Sequence, residues 1–330
     1  MTQGQRVTTD LPVGEGLVLP YHDLGPPEQA PRVVLVGGLK ADEFNAVFVL
    51  SRLAAFLRGL GSEPSSVECL VGRVLILPAP VVLSRRTDET DLAGHARHIE
   101  QVFPGDAEGS LPARLGHGIL TMSTRAYYRV HVQCAGAGID AVPQVGLYQP
   151  SDDERATACL IGLPAVVEHD PDTLDAGSLD HAWHAVGAGE SFSIRAGSAG
   201  GLQAAHCEVL FRGLLAFLNR SGVIQGLTLG EVEDDLHYFG RQQTFPIVSD
   251  SSGLFISTRA VGGWVHAGDL IGQVFDPMTG ERKVDIHAPV AGLIGALRSQ
   301  PELSAGGLVA RVLTPSEGRP MADADRMGGT

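Results

Sequence analysis

Residues 32–44 read Arg32-Val33-Val34-Leu35-Val36-Gly37-Gly38-Leu39-Lys40-Ala41-Asp42-Glu43-Phe44, and this stretch decides the fold. Its first half, RVVLVG, is a short β-branched run closed by two glycines, the mark of a buried strand. Its second half opens EFNAVFVLSRLAAFLRGL, residues 43–60, with apolar residues at helical spacing. Strand, glycine turn and helix in that order make the unit of an α/β sheet, where ligands gather beyond the carboxyl ends of the strands.

Working outward, the same alternation recurs. VGRVLILPAP (71–80) reads as a strand stopped by Pro78 and Pro80. SLPARLGHGILTMSTRA (110–126) reads as a helix, and YYRVHVQCA (127–135) as a strand. ATACLIGLPAVVE (156–168) reads as a helix then a strand, SFSIRAG (191–197) as a strand, and GLQAAHCEVLFRGLLAFLNRSG (201–222) as a long amphipathic helix with a Gly stop. The strand ends to inspect are near residues 38–43, 78–86, 131–135 and 195–198. From about Thr244 short β-rich pieces alternate with turns, and GDLIGQV and IHAPVAGLIGAL resemble a biotinyl/lipoyl-like half-barrel. Lys283, the only lysine of that module, lies in a strand approach and not at a hairpin tip, so a structural appendage is expected and not a carrier domain. The expected division is 1–240 for the α/β domain, 241–315 for the β-rich domain, and 316–330 for a disordered tail rich in Gly, Pro and charge.

The chain has 330 residues, 44% hydrophobic, with a net charge of −14. That balance, without any run of basic residues, argues against nucleic acid and anionic membrane as partners. Four cysteines without CxxC spacing suggest reduced thiols, and the polar N-terminus lacks an apolar core for a signal peptide; both imply a cytoplasmic protein.

The order of VVLVGGLKADEF, the Leu77–Gly105 stretch, YYRVHVQC, and SFSIRAG with its following helix resembles the succinylglutamate desuccinylase/aspartoacylase branch of zinc carboxypeptidases. The resemblance spans about residues 30–313 and implies a zinc carboxypeptidase-like mixed-sheet α/β/α domain followed by a small all-β domain. It also implies a GGxHGxE motif whose His and Glu bind zinc; here Glu43 is kept and Lys40 stands at the His position. The third ligand position falls on Gln133, the catalytic Glu position on Arg195, and the substrate-clamping Asn-Arg pair before Phe103-Pro104-Gly105 on Glu100 and Gln101.

These departures bear on the chemistry. Catalytic zinc needs about three His or carboxylate ligands and an open position. An ammonium has no lone pair to offer, and a carboxamide oxygen is a weak zinc ligand. Arg195 cannot serve as a general base. Neither a catalytic residue nor a metal or other cofactor is therefore expected. The first reading is a non-hydrolytic protein, a pseudoenzyme that binds a peptide or amino-acid derivative in the old cleft through Lys40, Glu43, Arg85, Arg86, Glu100, Gln101, His131, Gln133 and Arg195. In it Lys40 pairs with Glu43, or with another local acid, and Arg195 clamps a carboxylate. It would present a peptide to a biosynthetic partner enzyme of natural-product maturation. The alternative is a metal-dependent amidohydrolase of N-acyl amino acids with relocated ligands such as His98, His131 or His184. A homodimer is suggested by the resemblance alone.

Duller readings hold elsewhere. The pairs His95/His98 and His181/His184 have Glu100 and Asp180 close in sequence but no convincing third ligand, and read as solvated. His131 and Cys134, three apart on a strand, face opposite sides and make no nucleophilic dyad. Tyr127 and Tyr128 read as strand packing, Gly136 and Gly138 carry no nucleotide fingerprint, and Arg86–Ile99 reads as a loop over the cleft.

Overall fold

The computed structural model of the chain describes residues 8–13, 18–60, 68–80, 96–230 and 236–315. In chain order the first part runs β1 (Thr9–Pro12), β2 (Val18–Leu24), β3 (Pro31–Gly37), α1 (Phe44–Gly59), β4 (Cys69–Leu70), β5 (Arg73–Leu77), α2 (Leu111–Ser123), β6 (Tyr128–Ala135), β7 (Ile139–Ala141) and β8 (Gln144–Tyr148). It continues with α3 (Asp152–Leu160), β9 (Ala165–His169), α4 (Leu179–Val186), β10 (Glu190–Ser198), α5 (Ala204–Arg220), β11 (Ile224–Gln225) and β12 (His237–Phe239). Nine strands form one mixed sheet in the order β1-β2-β5-β3-β6-β10-β8-β9-β12. The middle four, β5, β3, β6 and β10, are parallel, whereas β8 runs antiparallel to β10.

Helices cover both faces because the central strands are apolar on both. Val33 and Leu35 of β3 pack with α1 and α5, while Val34 and Val36 pack against α2 and α4. On α1 the buried residues are Ala46, Val49, Leu50, Leu53, Ala54 and Leu57, the i, i+3, i+4 stripe of a core-facing helix. Each such leucine contributes about 1.5–3 kcal/mol by leaving water. Helix α3 starts at a capping box in which Ser151 and Glu154 satisfy each other's backbone N–H.

From Thr244 the described chain forms strands, β13 (Thr244–Ser249) through β14 (Gly253–Ser257), β15 (Trp264–Val265), β16 (Leu270–Phe275), β17 (Arg282–His287), β18 (Gly292–Arg298), β19 (Glu302–Leu303) and β20 (Gly307–Leu313). They make two antiparallel sheets around Phe255, Ile271, Val274, Ile294 and Val312. Strand β7 leaves the α/β part and pairs with β18, with Ala141 opposite Ala296, so this β-rich part is joined to the first by backbone hydrogen bonds. Lys283 lies on β17 with its ammonium on the Ser252 carbonyl at 2.9 Å, away from the hairpin tip at Met278.

Two glycines shape the strand ends beside the cleft. Gly38, just beyond β3, has φ +62°, and a Cβ there would lie 2.7 Å from the Pro78 carbonyl oxygen. Gly197, near the end of β10, has φ +69°, and a Cβ would stand 2.4 Å from Asn45 Nδ2. Only glycine meets both conditions without strain.

Candidate functional site

The carboxyl ends of β3, β6 and β10 open into a cleft of about 280 Å3. Lys40, Glu43, Glu100, Gln101, His131, Gln133 and Arg195 all line it, together with Tyr148, Thr173, Asp180 and others. Arg85 and Arg86 lie outside the described residues, as do His95 and most of the Arg86–Ile99 loop, and the side chain of His98 is not among those described. A larger cavity of about 520 Å3 adjoins the cleft, shares Lys40, Gln133, Tyr148, Thr173 and Arg195 with it, and reaches the β-rich part at Leu308 and Arg311.

The floor is a polar row on one face of the sheet. In the parallel register of β6 and β10, Arg129 stands beside Ser191, His131 beside Ser193, and Gln133 beside Arg195. The residues between them, Val130 and Val132, point to the opposite, apolar face with α1. Over this row lies α4, which starts at Ser178, whose hydroxyl accepts from the His181 N–H, and stops at Gly187 in the left-handed conformation. Trp183 of α4 is fully buried and donates through Nε1 to Ser123 Oγ at 2.8 Å, which fixes α4 against α2.

That helix delivers Asp180, which the sequence reading placed only near a histidine pair. Asp180 Oδ2 lies 3.1 Å from His131 Nδ1 and accepts from Gln133 Nε2 at 3.3 Å. Gln133 Nε2 also donates to Ser193 Oγ at 2.7 Å. His131 is 6% exposed, and its second nitrogen, Nε2, is buried without a hydrogen-bond partner. Burial alone would depress the pKa of this histidine. The charge and hydrogen bond of Asp180, with Glu43 behind them, overcome that and hold it above the ordinary value. Glu43 is 1% exposed; burial lifts its pKa, opposed by His131 and Lys40.

Lys40 does not use its ammonium on Glu43. Its Nζ pairs with Glu100 at 2.7 Å, while its backbone N–H donates to Glu43 Oε2 at 3.2 Å. The acid that takes the ammonium is thus not a sequence neighbour but comes from 60 positions away, and sequence proximity could not name it. Cys134 is buried, with burial raising its thiol to about 11, and it faces away from His131, so the pair makes no nucleophile. Tyr128 opens β6 and packs edge to face at 4.7 Å on Tyr127, which lies outside the strand and is exposed, with the Arg32 guanidinium over both rings. His181 and His184 are exposed on α4.

Cations gather at the cleft mouth. The Arg195 guanidinium meets the Tyr148 hydroxyl, and Arg311 approaches from β20. Burial lowers the Arg311 pKa and Arg195 lowers it further. His169 beside them is pushed down to about 4 by burial and by both arginines. Among the described residues no carboxylate stands within ion-pair distance of Arg195 or Arg311.

The zinc that the resemblance implies can be tested on these donors. Glu43 and the free Nε2 of His131 are two groups able to ligate, with Lys40 and Gln133 beside them. Asp180 also meets His131, but among the described residues no group of three His, Cys, Asp or Glu side chains is arranged to hold a metal ion. Two donors fall short of the about three protein ligands of a catalytic zinc, so the described residues do not fit that ion.

No model of a known protein family matches the sequence. The chain is 23% identical over 299 residues to N-alpha-acetyl-L-2,4-diaminobutyric acid deacetylase of Halomonas elongata, covering 86% of this chain and 82% of that protein. Its fold matches the product-bound ectoine utilization protein EutE (DoeB) of Ruegeria pomeroyi with a TM-score of 0.71, 22% identity, and 90% of each chain covered. It matches a succinylglutamate desuccinylase/aspartoacylase of Rhodobacter sphaeroides with a TM-score of 0.70 and 21% identity, over 91% of this chain and 90% of that one. These likenesses speak for the hydrolytic alternative more than for a pseudoenzyme, since the sequence relative is named for a deacetylase. No helix among the described residues is long and apolar enough to cross a membrane. By fold, the chain matches solved structures of succinylglutamate desuccinylase/aspartoacylase proteins.

Proposed function

We propose that the chain is an amidohydrolase of N-acyl amino acids in which the Asp180–His131 pair, and not a zinc ion, draws the proton from water. The observation that carries this reading is cleft-lining His131, whose Nε2 is buried and unpartnered and whose ring is oriented through Nδ1 by Asp180. A carboxylate on one ring nitrogen fixes the tautomer and leaves the other as a proton acceptor. In the reaction, Nε2 takes a proton from water as the water oxygen bonds to the amide carbon. The C–N bond then breaks, and His131 returns the proton to the leaving nitrogen. A carboxylic acid and an amine result, and the acid passes its proton to the amine to leave a carboxylate and an ammonium.

Charge around the cleft suits the substrate. Arg195 and Arg311 have no acidic partner among the described residues and can hold the carboxylate of the amino-acid half. Lys40, the nearest ammonium to Glu43 and His131, favours the negative charge that develops on the amide oxygen. The deacetylase relative supports the same substrate class. Free cysteines agree with a cytoplasmic setting.

The second reading keeps the ligand and drops the turnover: a binding protein that presents an acylated amino acid or a peptide to a partner enzyme. Lys40 and Gln133 at the expected zinc-ligand positions favour it. One experiment separates the two. Purified chain is titrated with N-acetyl and longer N-acyl amino acids by calorimetry, and free amine is followed by mass spectrometry, with and without added zinc. Amine release without zinc supports the first reading, and saturable binding without release supports the second. Neither binding nor release overturns both.

A further inference from the structure

Beneath α4, next to the cleft, lies a separate cavity of about 220 Å3 that meets it at Tyr148 and Asp180. Its most unusual wall is Arg129. This residue is 1% exposed, in the middle of the sheet, two positions before His131 on β6. One nitrogen, Nη2, donates to the Ala188 carbonyl. The other two, Nε and Nη1, are buried with no partner, and so is the hydroxyl of Ser191, its neighbour on β10.

A buried guanidinium with two idle donors is costly, because burial disfavours the charged form and nothing repays it. Burial does lower the Arg129 pKa, and Glu154 is the one charge working the other way. Glu154 also lines the cavity. Its oxygens already accept from the Ser151 N–H at 2.9 Å and the Ser151 hydroxyl at 3.2 Å, so it forms a wall and not an ion pair with Arg129. The cavity therefore presents unfilled N–H donors at one place and a carboxylate at another. Trp183 and Pro150 supply apolar surface between them.

We propose that this cavity binds a small zwitterion, a free α-amino acid, with its carboxylate on Arg129 and its ammonium toward Glu154. A plain anion would satisfy Arg129 and meet repulsion from Glu154 and Asp180, which also lines the space. A water would satisfy one donor and neutralise nothing. Along a strand of about 3.3 Å per residue, Arg129 stands about 7 Å from His131. A ligand here would neighbour the cleft without occupying it. The site does not depend on whether the cleft hydrolyses anything.

The test is a thermal-shift titration of the full chain with L-alanine, with acetate and with methylammonium chloride. L-alanine is expected to raise the melting temperature saturably, and more than either half of the molecule does. Arg129→Met is expected to weaken the L-alanine response about 10-fold or more. Its ligand-free melting temperature should equal or exceed that of the parent chain, since an uncompensated buried charge is gone. Glu154→Gln, which keeps the capping box, is the second variant; it should erase the preference for L-alanine over acetate. A parent chain that ignores L-alanine overturns the proposal. So does equal stabilisation by acetate. So does an Arg129→Met chain that melts lower yet responds to L-alanine as before, because Arg129 would then be a structural strut.

Discussion

Asp180 Oδ2 lies 3.1 Å from His131 Nδ1, a contact between the second residue of α4 and the middle of β6 that joins elements 49 positions apart. It fixes the ring of a cleft-lining histidine whose other nitrogen is buried without a hydrogen-bond partner. Replacing Asp180 by Asn removes the charge and keeps the shape. The His131 pKa, followed by NMR of the imidazole nitrogens, should fall, because burial then acts without the opposing carboxylate. Amide hydrolysis should drop about 100-fold or more. An unchanged His131 titration would remove the pair from the account.

Histidines 131 and 169 give opposite pH dependences. The folded pKa of His131 is raised, so its contribution to stability is full below the unfolded value of 6.5 and fades as pH climbs through the folded value. That of His169 falls from 6.5 to about 4, so the neutral form is favoured in the fold. Its contribution is present above pH 6.5 and is lost between 6.5 and about 4. Chemical denaturation from pH 7.5 to 4 should show acid destabilisation that His169→Gln flattens by about 1–3 kcal/mol. A parallel curve for the variant would contradict this.

Arg195 and Arg311 repel one another across the cavity mouth without an acidic partner among the described residues. Arg311→Ala should raise the ligand-free stability slightly, yet weaken binding of a carboxylate ligand by about 1.5–3 kcal/mol. Urea denaturation and calorimetry read the two effects. Loss of stability with binding intact would make Arg311 a structural residue.

Trp183 anchors the helix that carries Asp180. Trp183→Ala should cost about 3–5 kcal/mol and Trp183→Phe about 1 kcal/mol, since the latter keeps most of the packing and loses only the Ser123 hydrogen bond. Urea midpoints check this. Equal costs for the two would mean that the hydrogen bond, and not the burial, dominates.

Much of this molecule was legible in the sequence. The runs around Val33, Val74, Val130 and Ile194 are strands because they are buried on both faces, and α1 and α5 carry their apolar stripes openly. The seven described residues read as cleft-lining do meet, because glycine turns bring the ends of β3 and β10 to the same edge as β6. Strand β8 escaped notice: PQVGLYQP is short, and its antiparallel direction leaves no local mark. Helix α4 was passed over as a histidine pair, although Ser178 and Gly187 bracket it as start and stop signals. With it went Asp180. Sequence proximity points Lys40 to Glu43 or another local acid, whereas its partner is the distant Glu100. The polar row from Arg129 to Arg195 was out of reach, because it depends on the register of two strands 60 residues apart.

The most direct test follows free amine by mass spectrometry as the chelator-treated chain meets a panel of N-acyl amino acids, beside His131→Gln. The parent chain should turn over, and the variant should lose about 100-fold or more of that rate. Turnover that appears only with added zinc, or an equal rate in His131→Gln, would contradict this.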